Sequence, residues 1–329
     1  MNKSRIIGWV LMLLVIYCTV GAAVYFASLL LLQKGVMLDV PWVISTQKAL
    51  YRTGVGFAPQ SWLAQPDCIQ PDPALIYKPS NGECRFNDIE FKTTLHFTDE
   101  GRSTGVKPRG NGIAVIGDSH AMGWGVNDQE TFSAQLQELT KRPVYNLGVA
   151  SYGTDRELIR LEKSGVLDKV DTVIIQYCNN DKSENLKFDS ASRVQLHKKI
   201  FGQATPDTLP QTNKLKLIAK GYWLSLSAPF RSTAKKLRRK DFSNHYPPLI
   251  AAIKKHRSAI EGKRVIVFYS NPYGQKYRNF PAGQDAQLTN VYFVDIGLDS
   301  ADYRKLDNHL TPDGHQKAAH RLFDYLRSY

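Results

Sequence analysis

The sequence predicts an α/β fold, a mainly parallel sheet between helices, preceded by one N-terminal transmembrane helix. Two observations predict it. From Gly112 onward, short apolar runs alternate with segments of helical periodicity, the pattern of a parallel sheet covered on both faces. Residues 6–32 contain no charged side chain, which exceeds the roughly 20 apolar residues needed to cross a bilayer.

Composition sets the frame for both. The 329 residues are 43% hydrophobic and 22% charged, which excludes wholesale disorder. No internal repeat or low-complexity tract interrupts the chain. The expected organisation is a cytoplasmic tip and anchor over 1–33, a stalk and N-terminal extension over 34–110, and the α/β domain over 111–329, with a basic insertion at about 183–245.

Lys3 and Arg5 precede the apolar run and favour a cytoplasmic N-terminus, although Lys34 at the other end weakens the charge bias. A cleaved signal peptide has an apolar core of about 7–15 residues, so a run this long reads as an uncleaved single anchor. Cys68 and Cys84 lie in a Pro-rich polar loop. A disulfide between them implies an oxidising compartment and an extracytoplasmic domain; the alternative is two unrelated surface thiols. Cys18 falls within the apolar run and Cys178 in an apolar strand.

Within 67–110 the alternation of residues 91–97 predicts a strand. Beyond it, strands are expected over 113–116, 144–147, 172–177, 264–269 and 291–294. Helices are expected over 131–140, 155–163, 248–260 and 312–326. Ligands of such sheets bind where loops leave the carboxyl ends of the strands.

The formal charge is +13, and it is concentrated. Thirteen Lys and Arg residues lie between Lys187 and Lys240, opposed by Asp189 and Asp207, a local 13 − 2 = +11. A solvated face is one reading. An anionic membrane surface or an acidic polysaccharide is another. No nucleic-acid-binding motif accompanies the charge, and the anchor argues against nucleic acid as a partner. Within the insertion, Leu215, Ile218, Tyr222 and Leu226 recur at helical spacing with lysines alongside, the pattern of a basic helix lying on a membrane or packing its apolar face on the domain.

Four strand or helix termini carry chemistry. Residues 113–116 end at Gly117-Asp118-Ser119-His120. A serine hydroxyl becomes a nucleophile only when a base takes its proton and a third group orients that base. The second strand runs into Gly148, where a backbone N–H can approach an oxyanion. The third ends at Asn179-Asn180-Asp181, and the Asn180 amide offers another donor. Near the C-terminus, Asp307-Asn308-His309 precedes Thr311-Pro312, an N-cap and first helical position. In an extended segment the Asp307 and His309 side chains face the same way. His120 adjoins the serine too closely to serve as its base. Asp118 is expected to shape the turn, and His315 to be held in the last helix. His197, His245 and His256 show no metal-ligand spacing. The stretch 122–125 lacks the lysine of a phosphate loop. No metal and no cofactor is expected.

These blocks, in this order, resemble the SGNH (GDSL-type) hydrolase superfamily over about 111–182 and 246–329. The resemblance implies a three-layer SGNH-type domain. It assigns Ser119 as nucleophile, His309 as base and Asp307 as its orienting acid, with the Ser119 and Gly148 N–H groups and the Asn180 side chain as oxyanion hole. Two positions depart from the pattern: Cys178 replaces the glycine of the third block, and aspartate precedes histidine by two residues rather than three. The Asp-x-His spacing is similar to that of alginate acetyltransferases, and the Gly-Asp-Ser-His-Ala form to modules attached to membrane acyltransferases. The implied activity is a serine esterase acting on ester-linked acyl groups, acetyl above all, of an envelope glycan or lipid. The alternatives are an O-acyltransferase using the same site and an inactive glycan-binding module.

Overall fold

The computed structural model describes residues 3–54, 60–186, 195, 200–201, 214–237, 242–270, 280–281 and 283–328. In chain order its strands are β1 (Ile69–Asp72), β2 (Ile76–Pro79), β3 (Gly82–Asn87), β4 (Lys92–Thr98), β5 (Gly101–Arg102), β6 (Gly112–Gly117), β7 (Val144–Asn146), β8 (Val170–Tyr177), β9 (Arg264–Tyr269), β10 (Gly283–Gln284) and β11 (Val291–Val294). Its helices are α1 (Lys3–Gln33), α2 (Pro41–Thr53), α3 (Ser119–Met122), α4 (Phe132–Thr140), α5 (Thr154–Lys163), α6 (Asn179–Asn185), α7 (Lys214–Leu237), α8 (Tyr246–Lys255), α9 (Arg257–Ile260) and α10 (Pro312–Arg327).

β1 and β2 form a separate hairpin, and the other nine strands make one sheet in the order β10-β11-β9-β8-β6-β7-β5-β4-β3. The five strands β11, β9, β8, β6 and β7 are parallel. β5, β4 and β3 extend the sheet antiparallel from β7. The stretch preceding residue 111 therefore supplies a third of the sheet's strands.

Alternation along each parallel strand divides the core between two faces. Ala114 and Ile116 of β6 meet Leu158 and Leu161 of α5 and Leu249 and Ile253 of α8 on one side. Ile113 and Val115 meet Phe132 and Leu136 of α4 and Ala318 and Leu322 of α10 on the other. Burying each Ile, Leu or Phe there contributes about 1.5–3 kcal/mol before the entropy of ordering it.

The helix expected over 248–260 divides at His256, whose backbone leaves the helical region (φ −105°, ψ 23°). Its ring accounts for the break: Nε2 lies 3.0 Å from Asp155 and Nδ1 2.8 Å from Glu162, both on α5. Cys68 and Cys84 form a disulfide that ties the turn before β1 to β3. Cross-linking a 16-residue separation removes unfolded-chain entropy worth about 3 kcal/mol.

α1 is long and apolar enough to cross a membrane. Residues 6–16 are exposed all round, whereas Gly21, Tyr25, Ser28 and Leu32 line one buried stripe. Against that stripe pack α2 and α7. Much of the basic insertion lies outside the described residues, including Lys187, Asp189, Arg193, Lys198, Lys199 and Asp207.

Candidate active site

β6 ends at Gly117, whose φ of 152° belongs to glycine; a Cβ there meets Ala121 Cβ at 2.6 Å and Gln176 Oε1 at 2.7 Å. The chain then turns sharply into α3, with Asp118 as N-cap accepting the His120 N–H at 2.9 Å. Gln176 of the neighbouring β8 pins the turn. Its Oε1 accepts from Asp118 N at 3.2 Å and from Ala121 N at 3.0 Å. Ser119 is thus the first residue of a helix braced from the adjacent strand.

The loop after α3 is held from the N-terminal extension. Arg102 of β5 is 1% exposed; its guanidinium donates to the carbonyls of Met122, Gly123 and Val126 and pairs with Asp128 at 3.0 Å.

His309 Nε2 lies 2.7 Å from Ser119 Oγ, and His309 Nδ1 lies 2.6 Å from Asp307 Oδ2. The three side chains come together from opposite ends of the domain. The intervening backbone is not extended, as the two-residue spacing had suggested. Asn308 adopts a left-handed conformation (φ 65°), which asparagine tolerates better than most residues, and the chain turns back so that Arg304 N donates to His309 O at 2.8 Å. The turn has its own support. Both Glu90 carboxylate oxygens accept from this loop, from the N–H groups of Lys305, Leu306 and Asp307 at 2.7–2.8 Å. Tyr51 of α2 donates to Asp88 at 3.0 Å and, more weakly, to Asp307 Oδ1 at 3.4 Å.

Electrostatics follow the geometry. Burial acts to lower the His309 pKa and raise that of Asp307, but the attraction between the two and their hydrogen bond outweigh it. His309 is therefore held above its ordinary value and Asp307 below the usual carboxylate range. His120 is held well below its ordinary value by burial and by the neighbouring His309 and His315. Its Nδ1 lies 3.1 Å from Ser270 Oγ, and its ring lies against His309 with centroids 4.8 Å apart. His315 is buried, its pKa pushed down to about 3 by burial, and its Nδ1 accepts the Phe132 N–H at 3.1 Å.

The three expected oxyanion donors stand differently. Among the described residues nothing accepts from the Ser119 N–H. Asn180 sits exposed in the first turn of α6, beyond the strand end, with its amide in hydrogen-bonding reach of Asp118. The Gly148 N–H already donates to Asn146 Oδ1 at 3.1 Å, so donation to an oxyanion requires that bond to be shared. A side chain at 148 is excluded, since a Cβ falls 2.4 Å from Met122 N.

Behind α6 lies a group of buried carboxyls that the sequence did not flag. Among the described residues neither Glu157 carboxyl oxygen has a hydrogen-bond partner; burial and the negative neighbours Asp181, Asp118 and Glu184 hold it well above the usual range. Asp181 accepts the Cys178 N–H at 2.6 Å, closing the N-terminus of the helix that carries Asn180. Asp118, His120 and Cys178 bring three metal-capable atoms within 4.8 Å of one another. Each has another engagement: Asp118 caps α3, His120 bonds Ser270, and burial keeps Cys178 a thiol.

No curated protein matches the chain. Among solved structures, an acetyl-xylooligosaccharide esterase from Geobacillus Stearmophilus is 15% identical, covers 66% of this chain and 94% of its own, and has a TM-score of 0.36. A family two carbohydrate esterase from Clostridium thermocellum in complex with cellohexaose is 14% identical, with 69% and 66% covered and a TM-score of 0.36. An acetyl xylan esterase from the rumen bacterium Butyrivibrio proteoclasticus is 13% identical, with 68% and 65% covered and a TM-score of 0.37. Likenesses at this level carry no weight for substrate. The family match is decisive: the model of the GDSL-like lipase/acylhydrolase family covers residues 113–322, which include Ser119, Gly148, Asn180, Asp307 and His309. The chain belongs to the GDSL-like lipase/acylhydrolase family and is an ester-hydrolysing enzyme.

Proposed function

We propose that the chain is a membrane-anchored serine esterase that removes acyl groups, acetyl above all, from an envelope glycan or lipid through a covalent acyl-enzyme. The observation that carries this reading is the unbroken relay from Ser119 Oγ through His309 to Asp307. His309 Nε2 takes the Ser119 proton as Oγ attacks the ester carbonyl, and Asp307 orients and stabilises the imidazolium that forms. The oxyanion accepts from the Ser119 N–H and the Asn180 amide, with Gly148 as a third donor once its bond to Asn146 is shared. His309 then returns its proton to the leaving alcohol. Water, activated by the same histidine, releases the acid and regenerates Ser119.

The raised His309 pKa fits a base paired with a carboxylate. A bond already made between base and nucleophile favours turnover over an inactive binding module. The same acyl-enzyme serves transfer when a sugar hydroxyl replaces water. Lys3 and Arg5 before the anchor, together with the Cys68–Cys84 disulfide, support an extracytoplasmic domain and a cytoplasmic N-terminus.

Hydrolysis of p-nitrophenyl acetate by Asn180→Ala tests the site. Loss of one oxyanion donor lowers turnover by about 10²–10³ while the thermal midpoint stays near wild type. Near-normal turnover in that variant removes Asn180 from the mechanism.

A further inference from the structure

We propose that α7 is a membrane-embedded element: with α1 and the start of α2 it forms one lipid-facing helical assembly, and its partner is the outer half of the bilayer. This goes beyond the esterase reading and rests only on its membrane anchor and cytoplasmic N-terminus, not on its chemistry.

Exposed apolar side chains are concentrated in one part of the molecule. Among the described residues, every exposed large hydrophobic side chain except Val106 and Leu186 lies on α1, on residues 34–40 that join it to α2, or on α7. On α7 these are Leu215 (74%), Ile218 (48%), Trp223 (68%) and Phe230 (68%). A globular domain seldom leaves such a set on one helix unless something covers it.

Depth follows from the contacts between helices. The Tyr222 hydroxyl donates to Cys18 O at 3.0 Å, and Ser225 Oγ donates to Gly21 O at 3.4 Å. The Tyr17 hydroxyl donates to Leu226 O. The helices approach closely at Gly21, where a Cβ would fall 2.3 Å from Leu226 Cδ2 and that side chain would have to move. The Tyr17 ring stacks on Trp42 at 5.4 Å and meets Phe230 at 6.1 Å. Tyr17, Cys18 and Gly21 sit in the middle of the uncharged run 6–32. A helix laid against them shares their depth. With about 20 residues of α1 needed to cross the hydrocarbon, the Tyr222–Phe230 part of α7 lies within the outer leaflet.

Composition along α7 agrees. Positions 221–230 contain no charge; the exposed Lys216 and Lys220 precede them, where lysines reach anionic head groups, and Arg231, Lys235 and Lys236 follow them on the same helix. Close approach at Gly21, Gly221 and Ser225, with hydroxyl-to-carbonyl bonds between helices, is how helices associate in lipid. Continuity with α1 selects lipid as the occupant, since Phe230, 68% exposed, meets the Tyr17 ring within the uncharged run of α1.

Tryptophan quenching by lipids brominated on their acyl chains tests this in the full-length protein. Trp9 and Trp42 are replaced by Phe, leaving Trp223 with the buried Trp62 and Trp124. The protein is reconstituted in phosphatidylethanolamine–phosphatidylglycerol vesicles with and without brominated phosphatidylcholine. Brominated lipid is expected to quench this protein, and Trp223→Phe to return it to the level of the unbrominated control. Absence of quenching with Trp223 present, as when a protein partner covers the face, overturns the proposal. Quenching that persists without Trp223 overturns it equally.

Discussion

His309 carries two short contacts, 2.7 Å to Ser119 Oγ and 2.6 Å to Asp307 Oδ2, and its protonation sets the pH dependence of the proposed chemistry. A general base works only when deprotonated. Because Asp307 holds the imidazole above its ordinary value, kcat/KM is expected to rise with pH through a midpoint above 6.5. Asp307→Asn removes the stabilising charge, so turnover falls by about 10⁴ and the surviving acid limb moves to lower pH. A pH–rate profile of p-nitrophenyl acetate hydrolysis reads both, and an unmoved limb in Asp307→Asn removes Asp307 from the relay. Glu157 makes a different prediction at the same scale. Its folded pKa is raised by burial and by its negative neighbours, so the stability it contributes is full below its unfolded value near 4.5 and is lost as pH rises through the folded value. Glu157→Gln keeps the size of the side chain and removes the titration. The alkaline fall in thermal midpoint is expected to flatten in that variant, measured by thermal denaturation across pH.

At the scale of elements, much of the machine was legible and some was not. Strands over 264–269 and 291–294 follow from unbroken β-branched and aromatic runs, and the structure places them there. The capped start of α10 followed from Thr311-Pro312. What escaped was anything fixed by distant partners. Asn308 takes its left-handed turn because Glu90, over 200 positions away, gathers the N–H groups of 305–307. Gln176 reads as one more strand residue until its amide is seen bracing the turn that carries Ser119. β5 spans two residues, too short for any periodicity, yet Arg102 in it binds the loop behind Ser119. Breaking a buried ion pair from one side costs about 3–5 kcal/mol. Arg102→Ala is therefore expected to lower the thermal midpoint sharply, and a loss within experimental error in denaturant unfolding contradicts the assignment. Tyr51 reaches the site from α2. Its bond helps hold the Asp307 pKa down, so Tyr51→Phe strengthens the pull of Asp307 on the His309 proton. The acid limb then moves to higher pH while KM changes little.

For the whole molecule, α1 and the site are one structure. Leu306, next to Asp307, is fully buried in a cluster with Tyr25 and Leu32 of α1 and Leu50 and Tyr51 of α2. Lys305 pairs with Asp39 in the link between those helices at 2.9 Å. Removing α1 strips the cover from the loop that orients His309, so an anchor-free protein is expected to hydrolyse even a soluble ester more slowly than the full chain. Equal kcat for the two in detergent contradicts that coupling. The sequence displayed α1 as an apolar run, but not that its buried stripe of Gly21, Tyr25, Ser28 and Leu32 is spaced for α2 and α7, because packing partners leave no periodic mark in each other's sequence.

Labelling of the full-length protein by a fluorophosphonate, with the modified peptide mapped by mass spectrometry, tests the central claim most directly. The relay predicts modification at Ser119 alone and its disappearance in His309→Ala, with both proteins folded by circular dichroism. A folded wild-type protein left unmodified at Ser119, or modified there equally without His309, contradicts it.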